Sequence, residues 1–228
     1  MTHPHNENPV NPINPLVATM FLLMVGIEIA LNLGARGLIG GRGAVGWRNQ
    51  VIETYGFSDT VFEWMVTTGS WPMDHLVRFV TYPFIHGSFY HMLFAAVILL
   101  AMGKIVSEGM SGLRVAVIFV ISGIVGALVW ALLLDDPRFL VGGYPPVYGL
   151  IGAFTYQLWL RLGETGAPQT RAFTLIAFLL GIQLVFGVLF GGGSDWVADI
   201  AGFVTGFAMA VVMVDGGWTR FLRRVRRQ

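Results

Sequence analysis

The sequence predicts an all-α integral membrane protein, a six-transmembrane-helix bundle with one long connector between spans 1 and 2. Three observations carry that prediction. Of the 228 residues 55% are hydrophobic and 12% charged, and mean hydropathy is +0.68, a balance suited to lipid and poorly suited to a soluble domain. Apolar runs close to the roughly 20 residues that a spanning helix needs recur along the chain. The arginines gather at the edges of those runs instead of forming a patch interleaved with aromatics, which excludes a nucleic-acid partner despite the net charge of +1. Cysteine is absent, so disulfides, thiolate metal sites and cysteine nucleophiles are excluded as well.

Residues 1–14 are polar and rich in Pro and Asn, and are expected to form a disordered N-terminal lead in which His3 and His5 are solvated. The apolar run that follows has no Lys or Arg before it and no clear small-residue cleavage site after it, so it reads as a retained helix and not a signal peptide. Spans are expected at Pro15 to Leu33, Tyr90 to Val106, Leu113 to Leu134, Pro146 to Leu162, Ala172 to Phe190 and Trp196 to Val214, making 15–214 one membrane domain. Gly34 to Phe89 joins the first two. Its Gly-rich turns, its Trp47, Trp64 and Trp71, and a half-apolar pattern around Val61 to Val66 suit short amphipathic helices in the outer interface. Residues 215–228 form a basic cytoplasmic tail. With both termini inside, nine of the fourteen basic residues fall on the cytoplasmic side: Lys104, Arg114, Arg161, Arg171, Arg220, Arg223, Arg224, Arg226 and Arg227. The expected location is therefore an integral protein of a bacterial inner membrane, N-in and C-in. No repeat of fixed period is evident.

Three polar groups lie at membrane depth. The first, Arg78-Phe79-Val80-Thr81-Tyr82-Pro83-Phe84-Ile85-His86-Gly87-Ser88-Phe89-Tyr90-His91, leads into the second span. His91 and Ala95 share a helix face, whereas His86 and His91 are five apart and do not form an i, i+4 metal clamp; no metal or other cofactor is assigned. The second group, Gly142-Gly143-Tyr144-Pro145-Pro146-Val147-Tyr148-Gly149, starts the fourth span. Pro fits a first helical turn, but two prolines remove backbone donors that an anion would need there. The third is Asp199, a carboxylate in an apolar helix, where a charge is costly and needs a partner. Gly149 and Gly152 in the fourth span and Gly202 and Gly206 in the sixth are small-residue stripes for close helix packing, a contact expected to bring the Tyr144 phenol to Asp199 as its hydrogen-bond partner.

Together these segments resemble the rhomboid family of intramembrane serine proteases over roughly Arg78 to Val214. Thr-Tyr-Pro-Phe-Ile-His-Gly-Ser-Phe-Tyr-His at Thr81 to His91 is similar to the family's approach to its second span, although Val77-Arg78 stands where the family usually has Trp-Arg. Gly143 to Ala153 is similar to its Gly-Ala-Ser-Gly-Ala-Ile-Phe-Gly-Leu-Leu-Gly-Ala element, and Ala198-Asp199-Ile200-Ala201-Gly202-Phe203 to its Ala-His-Leu-Gly-Gly-Phe element. The resemblance implies a nucleophilic serine at the position of Tyr144, a histidine base at that of Asp199 and an oxyanion-holding asparagine at that of Ala95. None of the three is retained; His91 and His86 keep the residue types of the family's oxyanion side. The implied function is a rhomboid-like protein that no longer cleaves peptide bonds and binds the transmembrane segments of client proteins within the lipid bilayer. Two alternatives stand beside it: an active intramembrane serine endopeptidase with an unorthodox site, using His91 with Ser88 or Ser122, and proton or ion handling through Glu28, His91 and Asp199. Ser88 reads more simply as a helix N-cap, and Glu28 as locally paired. The sequence assigns no client and no oligomeric state.

Overall fold

The computed structural model describes residues 12–190 and 193–226; most of the N-terminal lead, with His3 and His5, and Arg227 of the tail lie outside the described residues. Helix α1 (Pro15–Ala35) starts with a proline in its first turn, where the missing N–H costs nothing, and the Asn14 side chain accepts from the Leu16 N–H at 3.0 Å. The connector follows as a 3-10 turn (Gly41–Gly46), α2 (Trp47–Tyr55), strand β1 (Phe57–Ser58), α3 (Asp59–Thr68), α4 (Met73–Leu76), α5 (Arg78–Thr81) and a second 3-10 turn (Tyr82–Phe84). Then come α6 (Phe89–Gly109), α7 (Gly112–Leu133), strand β2 (Phe139–Leu140), α8 (Tyr144–Glu164), α9 (Thr174–Phe190), α10 (Trp196–Met213) and α11 (Gly217–Val225). The protein is a helical membrane bundle. Among the described residues four helices, α1, α6, α7 and α10, are long and apolar enough to cross a membrane; α8 and the 17-residue α9 lie at the two remaining expected spans.

Helix α8 is the centre of the bundle. Its residues from Pro145 to Ala153 are all buried, and it packs against α6, α7 and α10. The main core joins Met24 of α1, Leu99 of α6, Ile118 of α7, Leu150 and Ile151 of α8 and Ala210 of α10. In lipid there is little hydrophobic force between helices, so contact depends on how closely backbones approach. Here they nearly touch: a Cβ on Gly206 would overlap the Gly149 carbonyl, and one on Gly202 the Pro145 carbonyl. From the other side, a Cβ on Gly152 would overlap the Phe203 carbonyl.

The connector has a small core of its own. Strands β1 and β2 pair antiparallel, Phe57 opposite Leu140 and Ser58 opposite Phe139, tying the connector to the segment just before α8. Around that pair Phe57, Phe62, Phe79, Tyr82 and Trp130 meet, with ring centroids 4.9 Å apart for Phe57 and Phe79 and 6.2 Å for Phe57 and Trp130. Arg78, buried at the start of α5, donates to the Gly56 carbonyl at 2.9 Å. A polar bridge joins two loops at this end of the molecule: Asp136 accepts from Arg138 and from the Ser194 hydroxyl just before α10. Those hydrogen bonds hold the Asp136 carboxyl well below the usual carboxylate range.

The α8–α10 contact leaves no room for a side chain, so Gly206→Val is expected to destabilise the fold by about 1–3 kcal/mol, the usual cost of overpacking a tight core. Gly26→Ala, at a position with nothing within 4 Å of the added Cβ, is the control and is expected not to lower stability. Thermal unfolding of the detergent-solubilised chain reads both.

Candidate functional site

The site forms where the segment before α6, the start of α8 and the first turns of α10 converge. Ser88 sits in extended conformation and its hydroxyl accepts from the His91 N–H at 3.2 Å. That N-cap starts α6 and fixes where the His91 imidazole points. Gly142 stands against this ring with φ +102°, and a Cβ there would overlap the imidazole, so only glycine fits. The Gly142 N–H donates to the Tyr82 carbonyl at 3.0 Å, and the Tyr82 hydroxyl reaches across to the Gly123 carbonyl of α7 at 2.8 Å. The next residue, Gly143, donates its N–H to His86 Nε2 at 3.2 Å. An imidazole nitrogen that accepts is unprotonated, and burial beside His91 pushes the His86 pKa down to about 3, so His86 is neutral.

Tyr144 is the first residue of α8. Its ring stacks on His91, centroids 5.1 Å apart and planes 20° from parallel. His91 in turn meets His86 edge-on, with centroids 5.1 Å apart at 87°. Tyr144, His91 and His86 thus make one aromatic column. Ala95 is fully buried one turn below His91, offering a methyl group and no hydrogen bond. Arg78 lies away from this column, in the connector's own core.

Asp199, 2% exposed, occupies the first turn of α10. Its Oδ2 accepts from Gln183 Nε2 of α9 at 2.6 Å, while Oδ1 has no hydrogen-bond partner among the described residues. The expected Tyr144–Asp199 hydrogen bond is not formed. The α8–α10 packing does bring the two residues to the same end of adjoining helices, but the tyrosine ring is committed to stacking on His91 and an amide from a third helix reaches the carboxylate instead. Gln183 is the residue that sequence reasoning missed. An amide within an apolar run carries the same need for a partner as a carboxylate, and that signal was there to be used.

The remaining candidates fall elsewhere. Ser122 is fully buried on α7 with its hydroxyl against Gly149, packed as a small residue between helices. Glu28, 1% exposed, binds Arg48 through both oxygens, at 2.7 and 3.0 Å, and accepts from Asn32 at 2.7 Å. Arg48 also donates to the His86 carbonyl. The carboxylate, the guanidinium and the histidine segment therefore form one link that joins α1, α2 and the approach to α6. Among the described residues no hydroxyl donates to Asp199 or to either histidine ring, so no nucleophile–base pair is assembled.

Comparison with known proteins fits this geometry. The family model of the Rhomboid domain matches residues 73–216, more than half of the chain and all of the site just described. The chain belongs to the rhomboid family. Within the family it is 28% identical to RHOMBOID-like protein 4 of Arabidopsis thaliana over 137 residues, which is 60% of this chain and 34% of that protein. It is 27% identical to RHOMBOID-like protein 5 of the same plant over 60% of this chain and 44% of the relative, and 27% identical to RHOMBOID-like protein 2 over 77% and 49%. The chain thus spans between a third and a half of these rhomboid relatives. All three are plant proteins, and they speak for the membrane bundle without bearing on a bacterial membrane.

If Gln183 is what satisfies Asp199, Gln183→Leu is expected to destabilise the detergent-solubilised protein by about 1–3 kcal/mol, the cost of orphaning a buried polar group. Tyr144→Phe keeps the stacked ring and removes only a hydroxyl that no Asp199 bond uses, so a change within about 0.5 kcal/mol is expected. Thermal unfolding of the two variants side by side checks the assignment.

Proposed function

We propose that this chain is a rhomboid-family protein without proteolytic activity, which binds transmembrane segments of client membrane proteins inside the bilayer. One observation carries the reading. At the position where the family has its nucleophile stands a phenol stacked on His91, and at the position of the base stands a carboxylate already bound to an amide. A phenol, with a reference pKa near 10, is a poor and bulky acyl acceptor, and a carboxylate whose Oδ2 is bound to the Gln183 amide is paired, among the described residues, with no hydroxyl that it could deprotonate. In a serine hydrolase, loss of the serine or histidine alone costs about a million-fold in turnover, and loss of an oxyanion donor on the order of a hundred- to a thousand-fold. Ala95 removes that donor too.

What supports client binding is the face opposite the core. Helix α9 presents apolar side chains outward, Phe178 being 63% exposed, and meets α10 through the Gln183–Asp199 hydrogen bond near its middle. A transmembrane segment approaching there meets apolar surface with one polar pair behind it. The basic residues flanking the spans favour both termini on the cytoplasmic side; the membrane itself we take to be a bacterial inner membrane.

The wild-type protein is expected to show no labelling by a fluorophosphonate probe and no cleavage of model transmembrane substrates. A photo-crosslinker at Phe178 is expected to capture single-span proteins. The variant Tyr144→Ser, Asp199→His, Ala95→Asn, Pro145→Gly is expected to regain labelling at residue 144. Robust labelling of the wild type that disappears on changing Ser88 or Ser122 would establish an active protease instead.

A further inference from the structure

A groove with a volume of about 520 Å³ runs between α1 and the connector. Leu23, Ile27 and Leu31 line it from α1 and Trp47, Val51 and Tyr55 from α2, each set at helical spacing and so on one face. The lining is almost wholly apolar, and the neighbouring Leu22 and Ile29 of α1 are exposed, so the groove faces lipid. Water would find no polar partners in it.

Its lining and its charged end select the occupant. Leu23 to Leu31 covers about 12 Å of helix at the standard rise, and an apolar trough of that length suits a hydrocarbon chain lying along α1. Charge marks one end. Arg36 caps α1 about 7.5 Å beyond Leu31, and Arg42 lies in the 3-10 turn that leads to Trp47. Both are exposed, and neither forms an ion pair among the described residues. Arg48 beside them is consumed by Glu28, and Glu53 is the one acid on α2.

We infer that this groove binds an anionic phospholipid, with one acyl chain along α1 and the headgroup phosphate held by Arg36 and Arg42. The site adjoins the histidine segment through the backbone: Ile27 precedes Glu28, and Ile85, also in the lining, precedes His86. An acyl chain in place packs against both ends of the Glu28–Arg48–His86 link.

The test is native mass spectrometry of the full chain in detergent, titrated with phosphatidylglycerol or with phosphatidylcholine of the same acyl chains. Phosphatidylglycerol is expected to be retained at least fivefold more tightly. Arg36→Gln and Arg42→Gln are each expected to weaken that retention roughly fivefold, the usual effect of one basic residue at an anionic surface. Ala30→Trp, which fills the groove, is expected to abolish retention of both lipids; should it fail to fold, the double arginine variant at exposed positions decides alone. Equal retention of the two lipids, or unchanged phosphatidylglycerol binding in the double arginine variant, overturns the inference. So does protection of the site by inorganic phosphate equal to that by the lipid, or a lipid-free dimer that occludes the groove.

Discussion

The backbone contact between α8 and α10 is the constraint on which the rest of this structure depends. Within a bilayer the solvent is as apolar as the side chains, so two helices gain by touching only where their surfaces fit. Gly149 and Gly152 on one side, and Gly202 and Gly206 on the other, leave the seam without side chains at those four positions, and the carbonyls of one helix then lie in the space a Cβ of the other would fill. That single contact sets the depth and rotation of both helices. It also fixes where Tyr144 and Asp199 stand, because each sits in the first turn of its helix, at the same end of the seam.

A second framework holds the opposite wall. His91 stands in the first turn of α6, but His86 belongs to the short non-helical segment before it, and what orients His86 comes from far away in the chain. Arg48 reaches the His86 carbonyl, Gly143 reaches the His86 ring, and the Gly142 N–H binds the Tyr82 carbonyl. Glu28 neutralises Arg48 from inside α1. A buried ion pair of this kind contributes little net stability once desolvation is counted, but breaking one partner leaves a buried charge exposed to an apolar surround. Its consequence here is positional: the histidine column cannot shift without disturbing α1 and α2 together.

The fold was readily legible in the sequence. The expected span boundaries lie within three residues of the helices observed, because apolar length is a one-dimensional property and membrane thickness leaves few other solutions. The family likeness was legible too, in three short ordered elements. The partners of the buried charges were not. Glu28 pairs with a residue 20 positions on and Asp199 with one 16 positions back, and neither spacing is helical, so periodicity gives no hint of either. Small-residue stripes indicated which two helices approach, and the inference then stopped at two helices; the amide that satisfies Asp199 comes from a third. The bridge between Asp136, Arg138 and Ser194 was hidden in the same way, since its members lie in loops whose proximity only the assembled bundle creates.

The walls of this site and its polar residues are held by different constraints. The glycines at the seam and Gly142 against His91 are fixed by space: any side chain there collides with backbone or with an imidazole. Positions 144 and 199 are held by a ring contact and a hydrogen bond. Tyr144 is half-buried at the head of α8, where its ring lies on that of His91, and one oxygen of Asp199 accepts from an amide that α9 supplies. Among the described residues no hydroxyl donates to a base at these two positions, the polar line that proton transfer in a serine hydrolase uses. The scaffold answers to packing and the reaction to hydrogen bonding, and in this chain the two are carried by separate residues.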